Sequence, residues 1–406
     1  MSTTATSARV RLAAAAVFAV FVLSGLTFAS WASRLPAVRD ELDLQPDAMG
    51  LVLLFGAMGS LLSLPLTGRV VSAIGSRRTL ILGSLTAALG MGAAVLAVTQ
   101  GSVVGVGAGL FVSMMGYGSW DMAMNFAGTV VERALSRSIM PWFHAGFSGG
   151  AVLGAAGGTV ASGNGIALPV HLGVTLVLVV VAVLISVRGL LPDVETPADG
   201  TPAEPAHKPS FARTWLEGRT LLIGMVVLSA ALTEGAANDW LALAVVDGFD
   251  VPNSTGALGF TVFVVAMTVM RFAGTWLLDR FGRLLVLRLC TGFAIVGLAI
   301  FGLVPNLPLA LAGAVLWGFG AALGFPVGMS AATDDPRHAA ARLSVVSTLG
   351  YTAFLIGPPL LGLLADHIGY RYALLAVLVP LVISLLVLPA AAPVPQRESD
   401  PVTDAA

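Results

Sequence analysis

The stretch LAAAAVFAVFVLSGLTFASWA (12–32) decides what kind of protein this is. It holds no charged residue, and about 20 apolar residues at 1.5 Å rise cross a hydrocarbon core of about 30 Å. It is too long for the apolar segment of a secretion signal, about 7–15 residues, and no small-residue cleavage pattern follows it cleanly. The run reads as a first membrane-spanning helix. Eleven further runs follow outward from it, at 48–73, 78–98, 102–127, 139–160, 166–188, 219–245, 255–278, 284–304, 308–331, 343–365 and 371–391. Each must be helical, because lipid offers no partner to an unpaired backbone amide or carbonyl.

Composition agrees. Hydrophobic residues make up 57 % of the 406-residue chain and charged ones 11 %, against about 25 % charged in soluble domains. Lys+Arg is 21 and Asp+Glu 22, so no charge excess points to nucleic acid. The single cysteine, Cys290, cannot form an internal disulfide. The expectation is an all-α membrane protein of twelve transmembrane helices in two pseudo-symmetric six-helix bundles.

Of the 21 basic residues, only Arg34, Arg39 and Arg371 fall on one side of these spans and Arg271 within one, leaving 17 on the side of the termini. Positive charge is retained on the cytoplasmic side, which predicts a bacterial cytoplasmic membrane protein with both termini inside. Pro192, Pro197, Pro202, Pro205 and Pro209 mark a cytoplasmic linker. The predicted organisation is an N-terminal half over 1–188, a linker over 189–218, a C-terminal half over 219–391 and a disordered cytoplasmic tail over 392–406.

The halves repeat one another. LTFASWASRL (26–35) aligns with LTEGAANDWL (232–241), and MGLVLLFGAM (49–58) with LGFTVFVVAM (258–267). GYG (116–118) aligns with GFG (318–320), and HAGF (144–147) with TLGY (348–351). The matches come in one order at a spacing of about 200 residues, the signature of a transporter built from repeated halves with its site near the midplane between them.

After the second span of the second half stands TWLLDRFGR (275–283), close to the loop motif G-x-x-x-D-R-x-G-R; the first half has GRVVSAIGSRR (68–78), with Ser72 in place of the acid. On these residues the chain resembles the major facilitator superfamily over nearly its whole length. SWASRLPAVRD (30–40), EGAANDWL (234–241) and GPPLLG (357–362) are similar to a little-characterised bacterial inner-membrane branch related to the fucose-permease group. The resemblance implies secondary transport of a small solute, with Asp279, Arg280, Gly282 and Arg283 as a conformational loop. It also implies an acid in the fourth span, where Asp121 stands.

Ionisable residues inside a membrane are costly and are functional candidates by default. Glu234 lies some fifteen residues into the seventh span, and Asn238 one turn on is rotated by only about 40°, so the two are expected to share a cavity face, with Glu234 exchanging protons. Asp239 points about 140° away from Glu234 and meets substrate only if the helix is locally unwound; otherwise it is an interfacial charge with Trp240 as an aromatic anchor. Asp121, with Asn125 at i+4 beside Trp120, is the second proton-coupling candidate. Arg34, one turn after Trp31, either meets an anionic substrate, pairs with Asp239 or snorkels to the interface. Arg271 reads mainly as a contact between halves or with the loop, and otherwise as a substrate contact; His144 reads as helix-end packing before a proton relay.

Glycines at four-residue spacing, Gly101, Gly105 and Gly109, and Gly146, Gly150, Gly154 and Gly158, predict close helix packing. GAVLGAAGG (150–158) resembles an exporter signature. Gly146-Phe147-Ser148-Gly149-Gly150 fits G-x-S-x-G by letter, but that elbow requires a strand–turn–helix setting. No nucleotide loop or metal-ligand spacing occurs, so neither an enzyme nor a cofactor or metal site is expected. The residues point to proton-coupled efflux of a drug-like or metabolite solute by a monomer in the lipid bilayer. The alternatives are proton-coupled import of a sugar-like solute and, from another class, a non-transporting receptor or scaffold.

Overall fold

A computed structural model describes residues 3–135, 137, 139–193, 214–335 and 338–393. Residues 194–213 of the linker, with Pro197, Pro202, Pro205 and Pro209, and 394–406 of the tail lie outside the described residues.

The first half contains α1 (Thr3–Ala32), α2 (Leu35–Leu42), α3 (Pro46–Ile74), α4 (Ser76–Thr99), α5 (Val103–Leu135), α6 (Met140–Gly163) and α7 (Leu168–Ser186). The second begins with α8 (Gly218–Ala236), which runs through a π-helical turn (Ala237–Leu241) into α9 (Ala242–Phe249). It continues with α10 (Asn253–Phe281), α11 (Arg283–Leu303), α12 (Leu307–Ala321), α13 (Gly324–Ala332), α14 (Ala339–Ile368), α15 (Tyr370–Leu374) and α16 (Leu378–Val387). Eleven stretches are long and apolar enough to cross a membrane. The remaining candidate is α6, 24 residues long, whose seven glycines lower its hydropathy; the count of twelve rests on including it. Outward-facing Leu82, Leu89, Val104, Val177 and Leu386 are exposed, as lipid rather than water requires.

Where the chain departs from straight spans, the residues explain it. The tenth span breaks at Ala322–Leu323 because Pro326 has no N–H to give the Ala322 carbonyl and its ring crowds that turn. Pro358 and Pro359, by contrast, sit inside the continuous α14. Gly75 (φ 84°) and Gly282 (φ 77°) turn the chain after the second span of each half in one conformation, open to glycine. The repeat is thus written into backbone angles even where the loop motif has diverged.

The halves meet through α6 against α10 and α3 against α14. The row Gly146, Gly150, Gly154 and Gly158 packs on α1: a Cβ at Gly150 would run into the Val22 carbonyl and one at Gly154 into that of Leu26. Gly105 and Gly109 approach α4, whereas Gly101 is a turn residue with φ 67°, outside the helical row predicted for it. Gly149, one residue from Gly150, faces open space. Gly150→Ala is therefore expected to destabilise the protein by about 1–3 kcal/mol, while Gly149→Ala is neutral or stabilising by up to about 1 kcal/mol. Thermal denaturation of the two variants in detergent checks the contrast.

Candidate functional site

Five helices each present one periodic stripe to a shared cavity of about 270 Å³ between the halves. α1 gives Phe28, Trp31, Ala32 and Leu35; α3 gives Leu53, Gly56, Ala57, Ser60 and Leu61; α5 gives Leu110, Met114 and Tyr117. From the second half come Gly235, Asn238 and Asp239 around the π-turn, and Tyr351, Phe354, Leu355 and Pro358 of α14. Spacings of three and four are what one face of a helix allows. Phe354 closes over Gly235, where an added Cβ would lie 3.2 Å from its ring.

The seventh-span stripe is Gly235–Asn238–Asp239 and not Glu234–Asn238. Glu234 falls beside that face and turns to α10, where Arg271 Nη2 donates to both of its oxygens at 2.9 and 3.0 Å. Arg271 Nε also donates to the Ala322 carbonyl at 3.3 Å, the acceptor that Pro326 leaves unused. Glu234, the proton-exchange candidate, is thus ion-paired, and its partner is Arg271, whose contact is neither with the other half nor with the loop. The charge of Arg271 also reaches His144 on α6. The helix at Asp239 is a π-turn rather than unwound, a local feature frequent at functional sites.

No hydrogen bond or ion pair engages the carboxylates of Asp239 and Asp121 among the described residues. Asp121 stands one turn from Tyr117 on α5, and both cavity tyrosines, Tyr117 and Tyr351, feel its charge. Asn125 donates to the Asp121 backbone carbonyl at 2.9 Å and is not among the lining residues. Trp31 lines the cavity, whereas Trp120 and Trp240 are core residues; the Trp240 ring lies 5.6 Å from that of Tyr370. Arg34 is buried and donates to the Ile166 carbonyl at 2.9 Å, so it neither faces the cavity nor pairs with Asp239. Tyr117, Tyr351, Phe28 and Phe354 were not singled out in the sequence. Their signal was the stripe itself, since Tyr117 and Tyr351 both sit inside repeated segments.

One end of the cavity is shut. At the end carrying α2, Arg39 pairs with Asp247 across the halves and Asn253 donates to Asp40 at 2.7 Å. A Cβ at Gly50 would meet the Pro358 carbonyl at 2.7 Å, and one at Gly362 that of Pro46 at 2.6 Å. Towards the end where the chain begins, among the described residues, the last polar link between halves is Thr268 to the Ser148 carbonyl, a long 3.5 Å contact. Beyond it the charges pair within their own half.

There Arg283 holds Asp334 at 2.8 and 2.9 Å, joined by Arg219 at 3.1 Å. Arg342 holds Glu217 at 2.5 and 2.9 Å. In the first half the equivalent turn uses Ser76, whose backbone N–H and hydroxyl donate to Asp193. Asp279 and Arg280 are exposed and, among the described residues, make no hydrogen bond or ion pair.

The fold is that of a polytopic membrane transporter, with a cavity between its two helical bundles. The chain belongs to the Major Facilitator Superfamily, which its residues 223–406 match directly. It is 34 % identical over 375 residues to the uncharacterised transporter y4wD of Sinorhizobium fredii, covering 90 % of this chain and 96 % of the relative. It is 30 % identical over 350 residues to an uncharacterised MFS-type transporter of Yersinia pestis, covering 85 % and 87 %. Among solved structures, the nucleoside transporter NupG superposes with a TM-score of 0.73 at 14 % identity, covering 93 % of this chain and 98 % of that one. The transporter FucP superposes with a TM-score of 0.64 at 16 % identity, with the same coverage; both likenesses show the fold. The family and the relatives' names make the chain a transporter rather than an enzyme.

Two outcomes follow from the charged groups. Breaking a buried ion pair costs about 3–5 kcal/mol, but the Glu234 and Arg271 side chains are 19 % and 26 % exposed. Glu234→Gln should therefore cost about 1–3 kcal/mol, and the double variant with Arg271→Met less than the sum of the single ones, read by thermal denaturation. Burial pushes Glu217 and Asp334 up, but hydrogen bonds and charge from Arg342 on one, and from Arg283 and Arg219 on the other, outweigh it and hold both below their ordinary values. A carboxylate depressed in the folded state stabilises it above its unfolded value and loses that contribution as pH falls through the folded one. The melting temperature should thus fall as the pH drops below about 4.5, and less steeply in Asp334→Asn, measured from pH 7 to 3.

Proposed function

We propose that this chain is a proton-coupled secondary transporter that exports a small metabolite or drug-like solute from the bacterial cytoplasm by alternating access. The observation that carries the reading is the pairing of a cavity shut at one end with two acids, Asp239 on its wall and Asp121 beside its tyrosines, that have no basic partner. A carboxylate with no fixed counter-charge in a low-dielectric site is stable chiefly as the neutral acid or with a bound cation. A proton therefore rests there until the cavity opens to a side where it can leave. The bias of Arg toward the ends of α3, α7, α10 and the chain termini supports a cytoplasmic position for those ends. On that orientation the end closed by Arg39–Asp247 and Asn253–Asp40 is the outer one.

In this cycle the halves rock about the α3–α14 and α6–α10 contacts. Opening outward breaks Arg39–Asp247 and Asn253–Asp40, and Asp279 and Arg280 become available to bridge the halves at the other end. Glu234 acts with Arg271 as a fixed ion pair that keeps a guanidinium off the cavity wall, leaving Asp239 and Asp121 to carry protons. Asn238 and Trp31 line the solute site beside them. The mainly apolar and aromatic lining supports export. Import of a sugar-like solute draws support from Asn238 and the tyrosine hydroxyls, which can hydrogen-bond a polyol.

Asp239→Asn should abolish solute-dependent proton movement in proteoliposomes while the protein stays inserted and its melting temperature moves little. Full proton coupling in that variant removes Asp239 from the mechanism. Vesicles oriented both ways, tested with inward and outward pH gradients, separate export from import.

A further inference from the structure

The cavity's charge inventory narrows the solute. Among the described residues Asp239 is the only carboxylate on its wall, and no Lys, Arg or His lines it. Arg271 is chelated by Glu234, and Arg34 stays off the wall, its Nη2 on the Ile166 carbonyl and its Nε and Nη1 buried without partners among the described residues. Asp121, one turn from Tyr117 on α5, adds a second acid next to the wall. Around them stand the ring faces of Phe28, Trp31, Tyr117, Tyr351 and Phe354. A cleft of one sign with low-dielectric walls concentrates the opposite charge, and aromatic faces attract a cation within about 6 Å of the ring centre. An anion entering this cavity would meet Asp239 with nothing to neutralise it.

We infer that the transported solute is a small organic cation, a protonated amine on an apolar or aromatic body, with its charge on Asp239 and its body among the aromatic rings. The inference rests on the reading that this cavity is the transport site. A volume of about 270 Å³ lies near the lower end of ligand pockets, about 300–1,000 Å³, which fits a single-ring amine better than a large amphiphile. Asn238, on the same stripe as Asp239, supplies an amide oxygen that can accept from the ammonium. Because cation and proton compete for one carboxylate, binding the amine displaces the proton from Asp239.

The test reads the cavity's charge without knowing the solute. Ser60, on the cavity wall, is changed to Cys in a full-length Cys290→Ala background in nanodiscs. The thiol is then reacted with a cationic and an anionic methanethiosulfonate of similar size. The cationic reagent should be favoured by about tenfold or more over its preference for a free thiol in solution. The excess should vanish in Asp239→Asn and persist in Asp239→Glu. In parallel, phenethylamine, 2-phenylethanol and phenylacetate, one shape with three charges, are scored by thermal shift on the unmodified protein. Only the amine should raise the melting temperature, and not in Asp239→Asn. A reagent preference equal to that of the free thiol, one that survives Asp239→Asn, an amine without effect, or a phenylacetate shift matching it overturns the inference. Neither arm requires transport. Absent flux with the preference intact sinks the transport reading alone, and normal proton coupling with the preference lost sinks this one alone.

Discussion

Everything in this molecule follows from the inability of lipid to accept or donate a hydrogen bond. Backbone groups must be satisfied along each span, so the chain is helical throughout its spans, and any polar side chain carried inside needs a partner or a purpose. The acids carried inside divide on that criterion. Glu234 and Arg271 satisfy each other, and Arg271 also takes the one carbonyl that Pro326 frees in the tenth span. Trp317 donates to the Thr233 carbonyl at 3.1 Å and is structural. Asp239 and Asp121 are left over, and both are associated with the same cavity.

Close packing is the second consequence. Without a hydrophobic force to drive helices together in lipid, backbone approach through small residues does that work. The glycine row of α6 serves α1, while the Gly50 and Gly362 contacts join α3 to α14 near the closed end of the cavity. These contacts have different duties. Those within a half persist through any rocking motion, whereas Gly50 and Gly362 lie across the interface that motion must open. Glycine contacts suit that interface, because carbonyl and Cα surfaces can separate without stranding a charge.

The fold was legible in the sequence because its signals are long and redundant: runs near 20 residues, a one-sided distribution of arginine, and four ordered repeats. Which residues face the cavity was less so. A helix turns 100° per residue, and anchoring the seventh-span face on Glu234 rather than Gly235 rotated it by that amount. The acid was the conspicuous letter, yet its partner Arg271 lies 37 residues on, and nothing local announces the pair. Trp120 and Trp240 look like site residues for the same reason and are core. Tyr117 and Tyr351 were passed over although they occur in the repeated GYG and TLGY segments, since a tyrosine in an apolar run reads as packing until its stripe is known.

The two halves solve one turn in different ways, and that difference bears on how the transporter moves. In the second half Arg283 is tied by Asp334 and the Ala391 carbonyl; in the first, Ser76 is tied by Asp193. Both arrangements brace a half internally, as a rigid-body motion demands, but only the second half retains an acid and a base, Asp279 and Arg280, that are exposed beside its turn. With Ser72 at the matching place, the first half has lost the acid but keeps Arg69, Arg77 and Arg78, all exposed around the same turn. Charge therefore stands on both flanks of the end opposite α2, an acid and a base on α10 and bases alone around the end of α3. The flanks differ in the sign they offer, and a bridge from the first half's turn needs an acid opposite it.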